Sequence, residues 1–452
     1  MNLGKASAAL AGLLGIDPRE LRPVLLAFSY FFLLLFGYFV IRPLREEMGA
    51  AGGVKNLPNL WIATFLVTLA SVPAYSWLIS RVPRRRCLPA LYLFFAANLA
   101  VFWTLFRFDL GAEKALARTF YVWVSVFNVF AISVFWSFMA DVFGERDARR
   151  LFAVIAAGGT AGAVAGSAAT SILASRVIGD DRALSVDDLL FLPIVSLVVV
   201  AGLVLALGRW DDGNARARGE TPRGDRAIGG GALGAFREVA RSPLLLSIAV
   251  LVVFEKTAAS FLYFQVLDLV GRSSLDRAAR TALFADANFG AQTIALLLEV
   301  VVTGRLLRRF GVIAGLAGFV VVNLVGFSAL AVFPTLLVAV VFDAVRRGFG
   351  YGLDSPSRQV LFTTLTREEK YKAKSLIDTA LFRLVDVVSG NLCGRVIAAG
   401  VGVAGTALAM VPVGFLWAGA AWRAARLHRD AAGGEVGGNP PAPGAVRVGR
   451  DR

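Results

Sequence analysis

The hydrophobic and polar positions of this chain fall into long uncharged blocks separated by short charged connections. Uncharged stretches of eighteen or more residues run over 23–41, 56–80, 87–106, 119–140, 151–175 and 189–208. At 1.5 Å per residue, each is long enough to cross a hydrocarbon core of about 30 Å as a helix. In the second half charges interrupt the blocks, and helices are expected near 244–267, 281–303, 311–332, 336–353, 375–395 and 400–421. Phe333-Pro334-Thr335 divides one uncharged stretch in two, and Gly400 to Gly405 supplies the last tight turn. The pattern predicts an all-α integral membrane protein of about twelve transmembrane helices.

Composition agrees with that reading. The 452 residues are 57% apolar and 17% charged, against roughly 25% charged in soluble domains. Residues 1–20 contain Asp17, Arg19 and Glu20 and lack the layout of a cleavable signal. Cys87 and Cys393 both fall at or in expected spans, so a disulfide framework is not expected. His428, the only histidine, lies in the C-terminal tail, which leaves no histidine-based metal site and no cofactor to expect.

The net charge of +15 could suggest nucleic acid, but the basic residues are distributed as a bilayer sorts them. Outside the spans, 31 Lys and Arg lie on the side of the N-terminus and twelve on the opposite side, with Arg42 and Arg45 counted among the twelve. The positive-inside rule places both termini in the cytoplasm, with a bacterial inner (plasma) membrane as the expected location. The expected partners are the lipid bilayer and a small anionic solute, not nucleic acid.

The chain divides into a cytoplasmic N-terminal segment (1–21), a six-helix half (22–208), a Gly- and Arg-rich cytoplasmic linker (209–242), a second six-helix half (243–422) and a tail (423–452). The tail contains "GGNPPAPG" and is expected to be disordered. The halves echo each other: "SRVPRRR" (80–86) follows helix 2 and "GRLLRRFG" (304–311) follows helix 8. Six plus six helices with matched basic loops is the layout of the major facilitator architecture, in which substrate lies between the halves near mid-membrane.

Ionised groups inside spans cost about 2.5–3.5 kcal/mol each on insertion scales, so they pair, face water or bind. Glu255, Lys256, Asp286, Arg383 and Asp386 are the deep ones. Arg346, Arg347 and Asp378 are expected nearer the cytoplasmic surface, where structural ion pairs suit them. Arg383 and Asp386, three apart, share one helix face and could pair with each other. Arg42 and Arg45 also share a face; beside Glu46 and Glu47 they are either interfacial anchors or a forked anion clamp. "GGTAGAVAGS" (158–167) lacks the Lys of a phosphate loop. Its Gly158, Gly162 and Gly166 recur every four residues, as a smooth face for close helix packing requires. No Ser/His/Asp set or HExxH is present, so an enzyme is not expected.

"GYFVIRPLREEMGAAGG" (37–53) resembles the first-helix signature of the ATP/ADP translocases of plastids and intracellular bacteria, with Arg45 and Glu46 where that family carries Lys and Asp. "FWSFMADVFGERDARRLFAVIAAGG" (135–159) and "VVFEKTAASF" (252–261) are similar to further segments, the latter setting Glu255 on the family's functional acid. In "YGLDSPSRQVLFTTLTREEKYKAKSLID" (351–378), Lys372, Lys374 and Asp378 fall in register and Arg358 replaces a Lys. The chain departs from the family at Ala259 and at Gln359-Val360. The resemblance covers most of residues 20–420. It implies a nucleotide antiporter with Glu255 as a functional acid. Joined to the charges found inside the spans, it leads to the expectation that Arg42, Arg45 and Lys256, with Arg383 or Lys374, neutralise the phosphates, while Glu46, Glu255, Asp286 and Asp386 serve coupling or gating. A proton-coupled carrier of another anionic or amphipathic solute, using Glu255, Asp286 or Asp386 to carry the proton, is the alternative.

Overall fold

The computed structural model describes residues 20–51, 56–81, 84–110, 112–143, 145–178, 185–217, 241–364, 377 and 381–437. Twelve long helices follow one another in this part of the chain: α1 (Leu21–Ala51), α2 (Leu57–Arg81), α3 (Arg84–Arg107), α4 (Glu113–Val142), α5 (Glu145–Ile178), α6 (Phe191–Ala217), α7 (Pro243–Arg272), α8 (Arg277–Phe310), α9 (Val312–Val332), α10 (Leu336–Phe349), α11 (Phe382–Ala398) and α12 (Val403–Gly437). Eight segments among the described residues are long and apolar enough to cross a bilayer. The face at which α1 begins is called the near face below, and its opposite the far face.

The breaks between helices follow from local chemistry. Thr335 ends the extended Phe333–Thr335 link and caps α10, its hydroxyl accepting from the Val338 amide at 3.3 Å. Asp276 caps α8 by accepting from the Ala279 amide at 2.7 Å. Gly311 and Gly400, at φ +71° and +82°, supply the left-handed turns that end α8 and precede α12.

Two π-helical turns bend the second half. One, Leu298–Thr303, lies within α8; the other, Gly350–Asp354, extends α10 into Ser355–Leu361. A π turn leaves a carbonyl without its helical partner. Here the Gly352 carbonyl accepts from the Thr303 hydroxyl, so the two irregular turns meet. The contact is close, because a Cβ on Gly352 would lie 2.7 Å from the Ala295 carbonyl.

Each half has its own core. Phe31 stacks on Phe135 at 4.1 Å, Trp123 on Phe127 at 5.4 Å, and buried Tyr30 and Tyr92 share a hydrogen bond in the first. The second gathers Phe319, Phe327, Phe342 and Trp417. In lipid there is no hydrophobic drive between helices, so close packing has to supply the attraction. Gly158, Gly162 and Gly166 of α5 lie directly against α1, where added Cβ atoms would come within 2.6, 2.1 and 2.4 Å of the Phe28, Phe32 and Phe36 carbonyls.

Three sequence expectations change. Helix α1 runs ten residues past Ile41, so Arg42 and Arg45, expected at the far end of the first span, lie half-buried inside a continuous helix, and that face's basic count falls from twelve to ten. The first residues of the 209–242 linker are helical as far as Ala217, and residues 218–240 lie outside the described part. The tail expected to be disordered from 423 continues α12 as far as Gly437, because "RAARLHRDAA" is rich in strong helix formers.

Candidate functional site

Between the halves lies a cavity of about 450 Å³ walled by α1, α2 and α4 on one side and α7 to α11 on the other. Its walls carry seven basic side chains (Arg42, Arg45, Lys256, Arg346, Arg347, Arg358 and Arg383) against four acidic ones (Glu46, Glu255, Asp343 and Asp386), an excess of three positive charges.

On α1, Arg42 and Arg45 share one carboxylate. Arg42 donates through Nε to Glu46 at 2.8 Å, and Arg45 approaches the same oxygen at 3.6 Å. Arg45 also donates to the Ser125 hydroxyl at 3.3 Å and lies 5.0 Å over the Tyr121 ring, while its Nε has no hydrogen-bond partner. Two guanidiniums on one carboxylate leave this corner with a net positive charge. Glu47, next along the helix, turns away to Arg277.

The other half supplies a tighter network. Glu255 receives Arg358 on one oxygen and Lys256 on the other at 3.4 Å, and Arg358 also reaches Asp354 at 3.5 Å. Lys256 sits 4.3 Å over the Phe382 ring. Arg347 pairs with Asp343 at 2.7 Å and donates to Asn288. These cations are held by fixed neighbours. Arg346 and Arg383 make no ion pair among the described residues, and the buried Nε of Arg346 has no hydrogen-bond partner. Asp386 also borders the cavity without an ion pair among the described residues, so the pairing with Arg383 that the spacing allowed does not form.

The structure thus brings Arg42, Arg45, Glu46, Glu255, Lys256, Arg383 and Asp386 to one cavity. Asp286 is elsewhere: it is exposed on α8 and accepts a hydrogen bond from Ser171 of α5. Lys374, like Lys372 and Asp378, lies outside the described residues. Arg346 and Arg347, expected near the surface, line the cavity because α10 continues through its π turn to Leu361 and leaves them mid-helix. The same turn brings Tyr351 and Arg358 to the wall. The signal available in the sequence was Asp343, Arg346 and Arg347 within one span.

Polar contacts between the halves lie nearer the far ends of their helices. Arg277 of α8 grips Asp187 with two bonds of 2.7 and 3.1 Å and reaches Glu47 at 3.4 Å. Asp187 belongs to the capped 3-10 turn Val186–Leu190 that precedes α6. Trp61 donates to the Tyr121 hydroxyl, which shares a 3.0 Å bond with Tyr263 of α7. Gly390 and Gly394 of α11 pack on Trp61 and Pro58 of α2. These contacts hold the far ends of the two halves together.

No family profile matches the chain. ADP,ATP carrier protein 1 of Chlamydia pneumoniae is 22% identical over 441 residues, covering 81% of this chain and 83% of the relative. A bacterial homologue of the iron transporter ferroportin, solved in an inward-facing state, is similar in structure with a TM-score of 0.57 at 11% identity, covering 91% of this chain and 99% of that one. The nucleoside transporter NupG gives a TM-score of 0.51 at 14% identity, covering 90% and 98%. At these identities the solved structures bear on fold alone, and the fold is the all-α, major facilitator-like arrangement of a multi-pass membrane protein.

Proposed function

We propose that this chain is a membrane antiporter that exchanges nucleotides of the ATP/ADP type by alternating access. The observation that carries the reading is the excess of three positive charges on the walls of a cavity between two membrane halves. Retaining unpaired guanidiniums at low polarity is costly unless an anion joins them. A polyphosphate supplies several acceptor oxygens, and forked guanidiniums match them. The curated relative, itself a carrier of ADP and ATP by name, supports the choice of anion.

In this reading Arg346 and Arg383, which have no ion pair among the described residues, take the phosphates together with Arg45. Arg42, Arg347, Arg358 and Lys256 fix the local field through their own carboxylates. Trp61 and Tyr263, packed on each other with centroids 5.8 Å apart, form an aromatic wall at the far end of the cavity against which a purine can rest. An empty cavity with unmatched cations reorients poorly and a loaded one readily, which makes exchange obligatory. No bond of the nucleotide breaks. Positive-inside counting makes the near face cytoplasmic, so the far-face contacts close the outer side of an inner membrane.

Counterflow in proteoliposomes tests this. Labelled ATP or ADP accumulates only when vesicles are preloaded with either nucleotide, and Arg346→Ala with Arg383→Ala abolishes accumulation. Absence of nucleotide exchange, while another anion exchanges, overturns the assignment. A second reading, a proton-coupled carrier, is favoured by Asp386, a carboxyl at the cavity wall with no ion pair among the described residues. It requires uptake into empty vesicles that stops when the proton gradient is collapsed.

A further inference from the structure

A second cavity, of about 690 Å³, lies on the other side of the α2–α4 wall and shares no lining residue with the central one. Along α2, Trp61, Thr64 and Phe65 face the central cavity, whereas Leu60, Ala63 and Val67 face the second. On α4, Tyr121, Ser125 and Asn128 face inward and Val122, Val126 and Phe130 outward. Helix α3 completes the outer wall through Leu91, Phe94 and Asn98. Of these, Phe94 is 58% exposed, and Leu66 beside the groove on α2 is 55% exposed, so the groove opens to the side, where lipid lies.

The polarity of this groove is graded. Its lining is apolar along most of its length, but Arg118 and Thr119 stand at its far-face end. Arg118 is exposed, begins the second turn of α4, and makes no ion pair among the described residues. From Arg118 to Phe130 is twelve residue steps, or about 18 Å of helix. One leaflet of hydrocarbon is about 15 Å deep, half of a ~30 Å core. A cation at headgroup depth above an apolar slot one leaflet deep has the form of a bound phospholipid.

We propose that this groove holds one anionic phospholipid of the far-face leaflet, with an acyl chain between α2, α3 and α4 and the phosphate on Arg118. Neutral lipid has the same tail but a zwitterionic headgroup, so the cation sets a preference for net negative charge. The occupant reinforces the outer side of the helices that wall the transport cavity and fills space that would otherwise leave apolar side chains without contacts. The inference is independent of what the central cavity carries.

The test uses the full chain in nanodiscs of equal parts phosphatidylglycerol and phosphatidylcholine, released gently and weighed by native mass spectrometry. One phosphatidylglycerol is expected to stay with the protein, favoured about fivefold over phosphatidylcholine, the ratio equivalent to ~1 kcal/mol for one cation near a membrane surface. Ala63→Trp, which fills the slot, should abolish retention. Arg118→Gln, an exposed position that leaves folding intact, should keep a lipid but lose the headgroup preference. A melting curve for each variant establishes that it is folded. Retention of no lipid, of both lipids equally by the unaltered protein, or of phosphatidylglycerol by folded Ala63→Trp overturns the proposal. So does a photoreactive acyl chain that crosslinks to helices other than α2, α3 and α4.

Discussion

Arg277 gives the sharpest test of how the two halves are held. Its guanidinium spans the far-face seam, two bonds on Asp187 and one on Glu47, and the carboxylates are only 6% and 5% exposed. Arg277→Ala leaves two buried negative charges facing each other without their cation. Removing one partner of a fully buried pair costs about 3–5 kcal/mol. Arg277 itself is 40% exposed, so solvent screens part of that loss and about 2 kcal/mol is the reasonable expectation. If the penalty falls on the far-closed state alone, the closed-to-open ratio drops roughly thirtyfold.

The assay is labelling of a single introduced cysteine. Cys87 and Cys393 are both buried and free, so they are replaced by Ser and a Cys is placed at Thr64, a position on the cavity wall. In oriented vesicles an impermeant maleimide applied at the far face should react slowly with the parent protein and at least about tenfold faster with Arg277→Ala, within the range that a 2 kcal/mol shift allows. Adding Asp187→Asn and Glu47→Gln removes the unpaired charges, and slow labelling should return. An unchanged rate in a folded Arg277→Ala protein refutes the argument, as does failure of the neutral triple variant to restore protection.

Three further outcomes follow from the same geometry. Gly162→Leu forces a side chain onto the Phe32 carbonyl, already 2.1 Å from an ideal Cβ, whereas a Cβ on Gly202 meets nothing within 4 Å. The first should lower the melting temperature, at a cost of about 1–3 kcal/mol, and Gly202→Leu should not. Arg346→Gln, which removes a charged donor from the anion site, should raise the apparent KM for nucleotide counterflow by roughly tenfold to a hundredfold, the worth of a charged hydrogen bond of ~1.5–3 kcal/mol. Glu255→Gln removes the only ion-pair partner of Lys256 among the described residues and leaves Arg358 with Asp354. Equilibrium binding should then tighten while exchange slows, because the cavity returns empty with more unmatched charge, and a binding isotherm beside a turnover rate distinguishes the two effects.

Span length, the Phe333-Pro334-Thr335 interruption and the Gly400 turn are local properties, so the membrane class, the order of twelve helices and most of their breaks were legible in the residues alone. The sequence also exposed the glycine face of α5, since a four-residue repeat of Gly is visible without knowing its partner. What it could not determine was which charges are free. Arg42, Arg45, Lys256 and Arg383 all look alike as cations in or beside a span. Only the fold assigns Glu46 to the first two and Glu255 to Lys256, and leaves Arg346 and Arg383 without such a partner among the described residues. The π turn at Gly350–Asp354 decided that Arg346 and Arg358 face the cavity, and the crossing of α5 and α8 drew Asp286 away from it. The physical reason is range. Hydrophobic length acts within one helix, whereas ion pairing depends on distances between helices far apart in the chain.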